Sequence, residues 1–123
     1  MLITPKMPVT AADTARHLRA RAADQTRAAE ARAARLLSAL PAAADLLRTR
    51  YAATDVVLFG SLATGTFTDR SDVDLAVRGL DSTSYFAALA DLMALFGGPV
   101  DLVRLEQAPP SLLDRIASEG RPL

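Results

Sequence analysis

The chain has no cysteine, and only one histidine, His17, among its 123 residues. Those shortages exclude disulfides, cysteine nucleophiles, and zinc sites built on thiolates or several imidazoles. Ser61 is excluded as a hydrolase nucleophile, because no G-x-S-x-G elbow surrounds it and the single histidine lies far away in a helical segment. His17, between Arg16 and Leu18, reads as a surface histidine. Net charge is also missing: fourteen Lys and Arg balance fourteen Asp and Glu, so nothing marks a dedicated nucleic-acid or membrane binder. No apolar run approaches membrane-spanning length, since the longest uncharged stretch, Val56 to Thr68, contains a glycine turn, and Met1 to Asp13 has no apolar signal core. A cytoplasmic protein without a membrane segment is expected. With 123 residues the chain is sized for one domain, with room for a core but not for a second, substrate-binding domain. Any large acceptor must then be carried by another chain. Carboxylate chemistry with a hard metal passes all of these filters.

Met1 to Val9, with two prolines, reads as an irregular lead-in. Thr10 followed by Asp13 resembles a helix cap with acid in the first turn. From Ala11 to Leu40 the chain is rich in alanine and arginine without Gly or Pro, and Asp24, Arg27 and Glu30 stand at pairing distance. That pattern predicts a long helix, ended or kinked at Pro41, with a short helical piece around Leu46 and Leu47 beyond it. Strands are predicted over Asp55–Phe59, Asp72–Arg78 and Val100–Leu105. Further helices are predicted over Ser82–Phe96, stopped by Gly97-Gly98-Pro99, and Ser111–Ser118, stopped by Gly120. The order helix, strand, strand, helix, strand, helix gives an α/β (α+β) class, with a small sheet backed by helices and residues 1–50 as a helical extension of a 51–123 core.

Two segments carry the chemistry. Gly60-Ser61-Leu62-Ala63-Thr64-Gly65 is a glycine-bounded turn at the end of a strand, where a following helical turn would aim backbone N–H groups at phosphate. Ser71-Asp72-Val73-Asp74-Leu75 opens the next strand, and its two aspartates share one side because strand residues two apart point the same way. If the third strand lies beside the second, Asp101 joins them, and three carboxylates can hold Mg²⁺ with positions open for triphosphate oxygens and water. Such a site suits phosphoryl or nucleotidyl transfer. Other readings fail on particular residues. A P-loop needs a lysine after the second glycine, where Thr66 stands, and a calcium loop over Asp69–Asp74 lacks its glycine and has Val73 inside a strand.

On these residues the sequence resembles the minimal nucleotidyltransferase (MNT) family of the DNA polymerase beta superfamily. The family pattern Gly-Ser-x-Ala-Arg-Gly, then Ser-Asp-x-Asp, is matched by Gly60 to Gly65 and Ser71 to Asp74. Asp101 matches the third family aspartate, and Ile116-Ala117-Ser118-Glu119-Gly120 resembles the final helix. Thr64 stands where the family usually has arginine. The resemblance implies a mixed sheet, with Asp72, Asp74 and Asp101 as the catalytic and metal-holding residues for two Mg²⁺ ions. It also implies that Gly60, Ser61, Thr64, Gly65 and Ser71 receive the triphosphate of ATP. It implies, further, an antitoxin paired with a HEPN toxin, transferring AMP to a toxin hydroxyl such as a tyrosine.

Two other functions stand beside this expectation. One is a binding antitoxin that occludes its partner without catalysis, which the missing arginine at Thr64 favours. The other is nucleotidylation of a small molecule such as an aminoglycoside, for which the chain leaves little room. The Arg…His signature of HEPN nucleases is absent, so the chain is not read as the toxin itself. The first helix points to a partner on separate grounds. Over Ala11–Leu40 it would be about 45 Å long, more than its own core can cover. Ala11, Ala15, Ala22 and Ala29 leave one face small, suited to packing against a partner or a second copy. Its arginines could also touch RNA, but without interleaved aromatics nucleic-acid binding is not expected.

Overall fold

The computed structural model describes residues 10–123, so the expected lead-in over Met1 to Val9 lies outside the described residues. The first element is one helix, α1 (Ala11–Tyr51), 41 residues long. Thr10 caps it by accepting from the Asp13 N–H at 3.1 Å, and the alanine-rich sequence propagates it. Pro41 neither ends the helix nor separates a second piece, contrary to the expectation from sequence. The reason lies in packing. Leu36 and Leu40 before the proline, and Ala43, Ala44 and Leu47 after it, are all buried along one stripe. Burial on both sides of Pro41 offsets the lost backbone hydrogen bond. Ala52 closes the helix in the left-handed region, with φ 57° and its N–H on the Leu47 carbonyl.

The other elements are β1 (Asp55–Phe59), the short α2 (Ser61–Thr64), β2 (Val73–Arg78), α3 (Tyr85–Phe96), β3 (Val100–Arg104), α4 (Pro110–Glu119) and β4 (Arg121–Pro122), with 3₁₀ turns over Ser82–Ser84 and Leu105–Gln107 where the sequence predicted the start of a helix and the end of a strand. They form a four-stranded mixed sheet in the order β3-β2-β1-β4, in which β1 runs antiparallel to β2 and to β4, and β2 runs parallel to β3. The expected mixed sheet backed by helices is therefore what the chain forms, with β4 as an addition.

Strand alternation splits the sheet into two faces. Val56, Leu58, Val73, Leu75, Val77 and Leu102 pack with Leu36, Leu40, Leu47, Ala88 and Leu92, so α1 and α3 cover one face. On the other face, Phe59, Ala76 and Ile116 form a second cluster under α4. From Ala29 onward α1 buries one face in the body, with Leu36, Leu40, Ala43 and Leu47 in the first cluster. The turns before Ala29 stand almost entirely exposed. Among the described residues no helix is long and apolar enough to cross a membrane.

Candidate functional site

The parallel pairing of β2 with β3 sets Asp74 directly opposite Asp101 in register. Asp74 and Ala76 share the α4 face with Asp101 and Val103, since the alternate residues Val73, Leu75 and Leu102 are in the opposite cluster. Asp72 lies two residues ahead of Asp74, just before the first paired residue of β2. The three aspartates expected to act together are thus gathered where β2 and β3 begin and β1 ends. Asp72 and Asp101 are exposed, whereas Asp74 is half-buried.

Gly60 is built around Asp74. It has φ 73°, and a Cβ on it would lie 2.1 Å from Oδ2 of Asp74. The turn needs glycine both for its backbone and for the carboxylate beside it. The N–H groups of Ala63 and Thr64 return to the Gly60 carbonyl, each at 3.1 Å. Ser61 and Leu62 are the first two residues of α2, whose N–H groups have no partner within the helix. Thr64 donates its hydroxyl to the Gly60 carbonyl at 3.2 Å and meets the Thr66 hydroxyl at 2.9 Å. Gly65 ends α2 at φ 83°. The Ser71 hydroxyl accepts from the Thr68 N–H at 3.0 Å and closes the loop before Asp72. Gly60 therefore borders the Asp74 carboxylate, Ser61 follows it as the first residue of α2, and Thr64, Gly65 and Ser71 take part in the turn and loop around them.

Two residues of α4 that sequence reasoning gave no role also reach this corner. Glu119 accepts from the Gly60 N–H at 3.2 Å, and the Arg115 guanidinium donates to the same Glu119 oxygen at 2.8 Å while standing over the Phe59 ring. The electrostatics are strained. Burial pushes the Asp74 carboxyl up to about 6, the carboxylate of Asp101 adds to this, Arg115 opposes it, and Asp72 and Glu119 raise it further. No ion pair among the described residues involves Asp72, Asp74 or Asp101. Among the described residues no three His, Asp or Glu side chains are so placed that together they could hold one metal ion. The atoms these aspartates offer are all carboxylate oxygens, the donor type that a hard divalent cation such as Mg²⁺ takes. A groove of about 420 Å³ between Tyr85, Phe86, Arg104 and Pro109 lies at the other end of β3 and shares no residue with this cluster.

The polymerase beta nucleotidyltransferase family matches residues 43–123, most of the chain. The chain belongs to that family. The nucleotidyltransferase match begins within the buried turns of α1 and includes every residue of the site. Among solved structures, a mutant MntA-HpeT toxin–antitoxin is 31% identical at a TM-score of 0.56, over 64% of this chain and 66% of that chain. A toxin–antitoxin with AMP-PNP is 30% identical at a TM-score of 0.58, over 63% of this chain and 66% of that chain. A minimal nucleotidyltransferase is 31% identical at a TM-score of 0.57, over 73% of this chain and 90% of that one. The chain spans just under two thirds of the length of the toxin–antitoxin chains it matches. No curated protein sequence matches it.

Proposed function

We propose that this nucleotidyltransferase-fold chain is an Mg²⁺-dependent protein adenylyltransferase and an antitoxin, moving AMP from ATP to a hydroxyl, such as a tyrosine, of a partner HEPN toxin. The observation that carries the reading is the in-register pairing of Asp74 with Asp101 on parallel strands beside the Gly60 turn. Similarity to toxin–antitoxin structures, one of them with AMP-PNP, supports the nucleotide and the class of partner.

In this reading the Gly60 turn receives the triphosphate. The Ser61 and Leu62 N–H groups and the Ser61 hydroxyl donate to phosphate oxygens, and Thr64, Gly65 and Ser71 keep the surrounding chain in shape. Asp72, Asp74 and Asp101 hold up to two Mg²⁺ ions, which when bound neutralise phosphate charge and favour ionisation of the acceptor hydroxyl. Asp101 takes the proton of that hydroxyl. Its oxygen bonds to the α-phosphorus as the bond to the β-phosphate oxygen breaks, and pyrophosphate leaves. The exposed first half of α1 offers the small-residue face on which the toxin, or a second copy of the chain, packs.

The test is incubation of the chain with ATP, Mg²⁺ and its HEPN partner, followed by intact mass measurement of the partner. Stepwise addition of AMP, lost in Asp74→Asn and Asp101→Asn, is the expected result; an unmodified partner, or modification that survives both substitutions, contradicts it. Thr64 favours one alternative, a non-catalytic antitoxin acting by occlusion, because its hydroxyl is spent within the turn and brings no charge to phosphate. Full neutralisation of the toxin by Asp74→Asn would select that alternative.

A further inference from the structure

We propose that Arg32, on α1, is a positioning residue for the carboxylate site; the inference rests on the metal reading above for its purpose, but not for its geometry. Asp74 and Asp101 are fixed by sheet pairing. Asp72 is not, because β2 begins at Val73, and its placement falls to the loop that precedes it. Arg32 crosses from the helix to that loop. Its Nη1 donates to the Ser71 carbonyl at 2.8 Å and to the Asp69 carbonyl at 3.3 Å, and its guanidinium carbon stands 5.1 Å from the centre of the Phe67 ring. The Ser71 carbonyl is the last backbone group before Asp72.

The same side chain borders the entry to β3. A Cβ on Gly98 would lie 3.8 Å from Nη2 of Arg32, and Gly98 precedes Pro99, whose carbonyl accepts from the Val73 N–H at 3.5 Å. One guanidinium therefore borders the lead-ins of both aspartate-bearing strands. Arginine suits this task because one guanidinium nitrogen reaches both carbonyls while the planar group faces an aromatic ring; a lysine ammonium can donate to the carbonyls but has no plane to stack.

The first readout needs neither metal nor activity. In Arg32→Met, amide hydrogen exchange should quicken at Thr68, Arg70, Ser71 and Val73 while β1 and the rest of β2 stay protected; unchanged exchange, or a uniform rise across the sheet, would overturn the proposal. Arg32→Lys and Phe67→Leu, which remove only part of the latch, carry the same comparison if Arg32→Met fails to fold. The second readout is Mn²⁺ affinity by titration calorimetry. Residues that orient ligands from behind typically change metal affinity by 10 to 100-fold, so Arg32→Met should bind about tenfold more weakly, with Arg32→Lys between it and the native chain. Equal affinity in all three contradicts the proposal. Failure of the native chain itself to bind Mn²⁺ would sink the metal reading, while the exchange experiment would still decide the role of Arg32.

Discussion

Asp74 is a carboxyl held partly out of water among other carboxyls, so its proton links fold stability, metal binding and pH. Its value of about 6 in the fold lies above the 3.8 of an unperturbed aspartate. Between those values Asp74 binds more proton in the folded chain than in the unfolded one, so its own contribution to stability is lost as pH rises from about 4 to about 6. The expected outcome is that the metal-free unfolding midpoint of the native chain falls relative to that of Asp74→Asn over this interval; a difference between the two that is independent of pH would contradict it. Metal requires the ionised form, so Mg²⁺ affinity should fall about tenfold per pH unit below 6, as measured by titration calorimetry. An affinity flat from pH 7 to 5 would contradict the assignment. The three aspartates were legible in the sequence because their residue type and two-residue spacing carry meaning locally. Glu119 and Arg32 were not. The Glu119 bond to Gly60 spans 59 residues and the Arg32 bond to Ser71 spans 39, and nothing near either residue in sequence names its partner.

Among the elements, α1 departs furthest from what its sequence predicts. Pro41 read as a stop or a kink because proline removes an N–H and crowds the preceding turn, and the helix does not stop there. The stripe from Leu36 to Leu47 overrides it, since those residues bury on the same sheet face whether or not one hydrogen bond is present. Pro41 is exposed and inside the helix, so Pro41→Ala should stabilise the chain by about 1–3 kcal/mol in urea unfolding, the range set by the cost of an interior helical proline less the entropy it removes from the unfolded chain. A destabilised variant would show that Pro41 serves the packing. The strand and helix order from Asp55 onward was legible because apolar runs and Gly or Pro stops bound each element. The two-residue β4 was not, since Pro122 argues against a strand and is tolerated there because β4 is an edge.

At the scale of the whole molecule, one topological fact makes the site. β2 sits between β1 and β3, so the turn after β1 and the aspartate of β3 both meet the start of β2. Sequence could state this only as a condition on strand order. The body of the molecule closes around the buried turns of α1, leaving the helix before Ala29 without a core to pack on. Deletion of residues 1–27 should therefore leave the unfolding midpoint within a few degrees of native and spare nucleotide binding, while lowering the assembly mass with its partner on light scattering. An unchanged assembly mass would refute the role given to this half of α1.

A working metal–nucleotide site at Asp72, Asp74 and Asp101 should show in the thermal unfolding midpoint. The midpoint is measured with and without ATP, with and without Mg²⁺, for the native chain and Asp74→Asn. Ligand at 100 times its dissociation constant contributes about 2.7 kcal/mol, enough to raise the midpoint of a domain this size by several degrees. That rise is expected in the native chain only when ATP and Mg²⁺ are both present, and is expected to be lost in Asp74→Asn. No rise in the native chain, or an equal rise in both proteins, would contradict it.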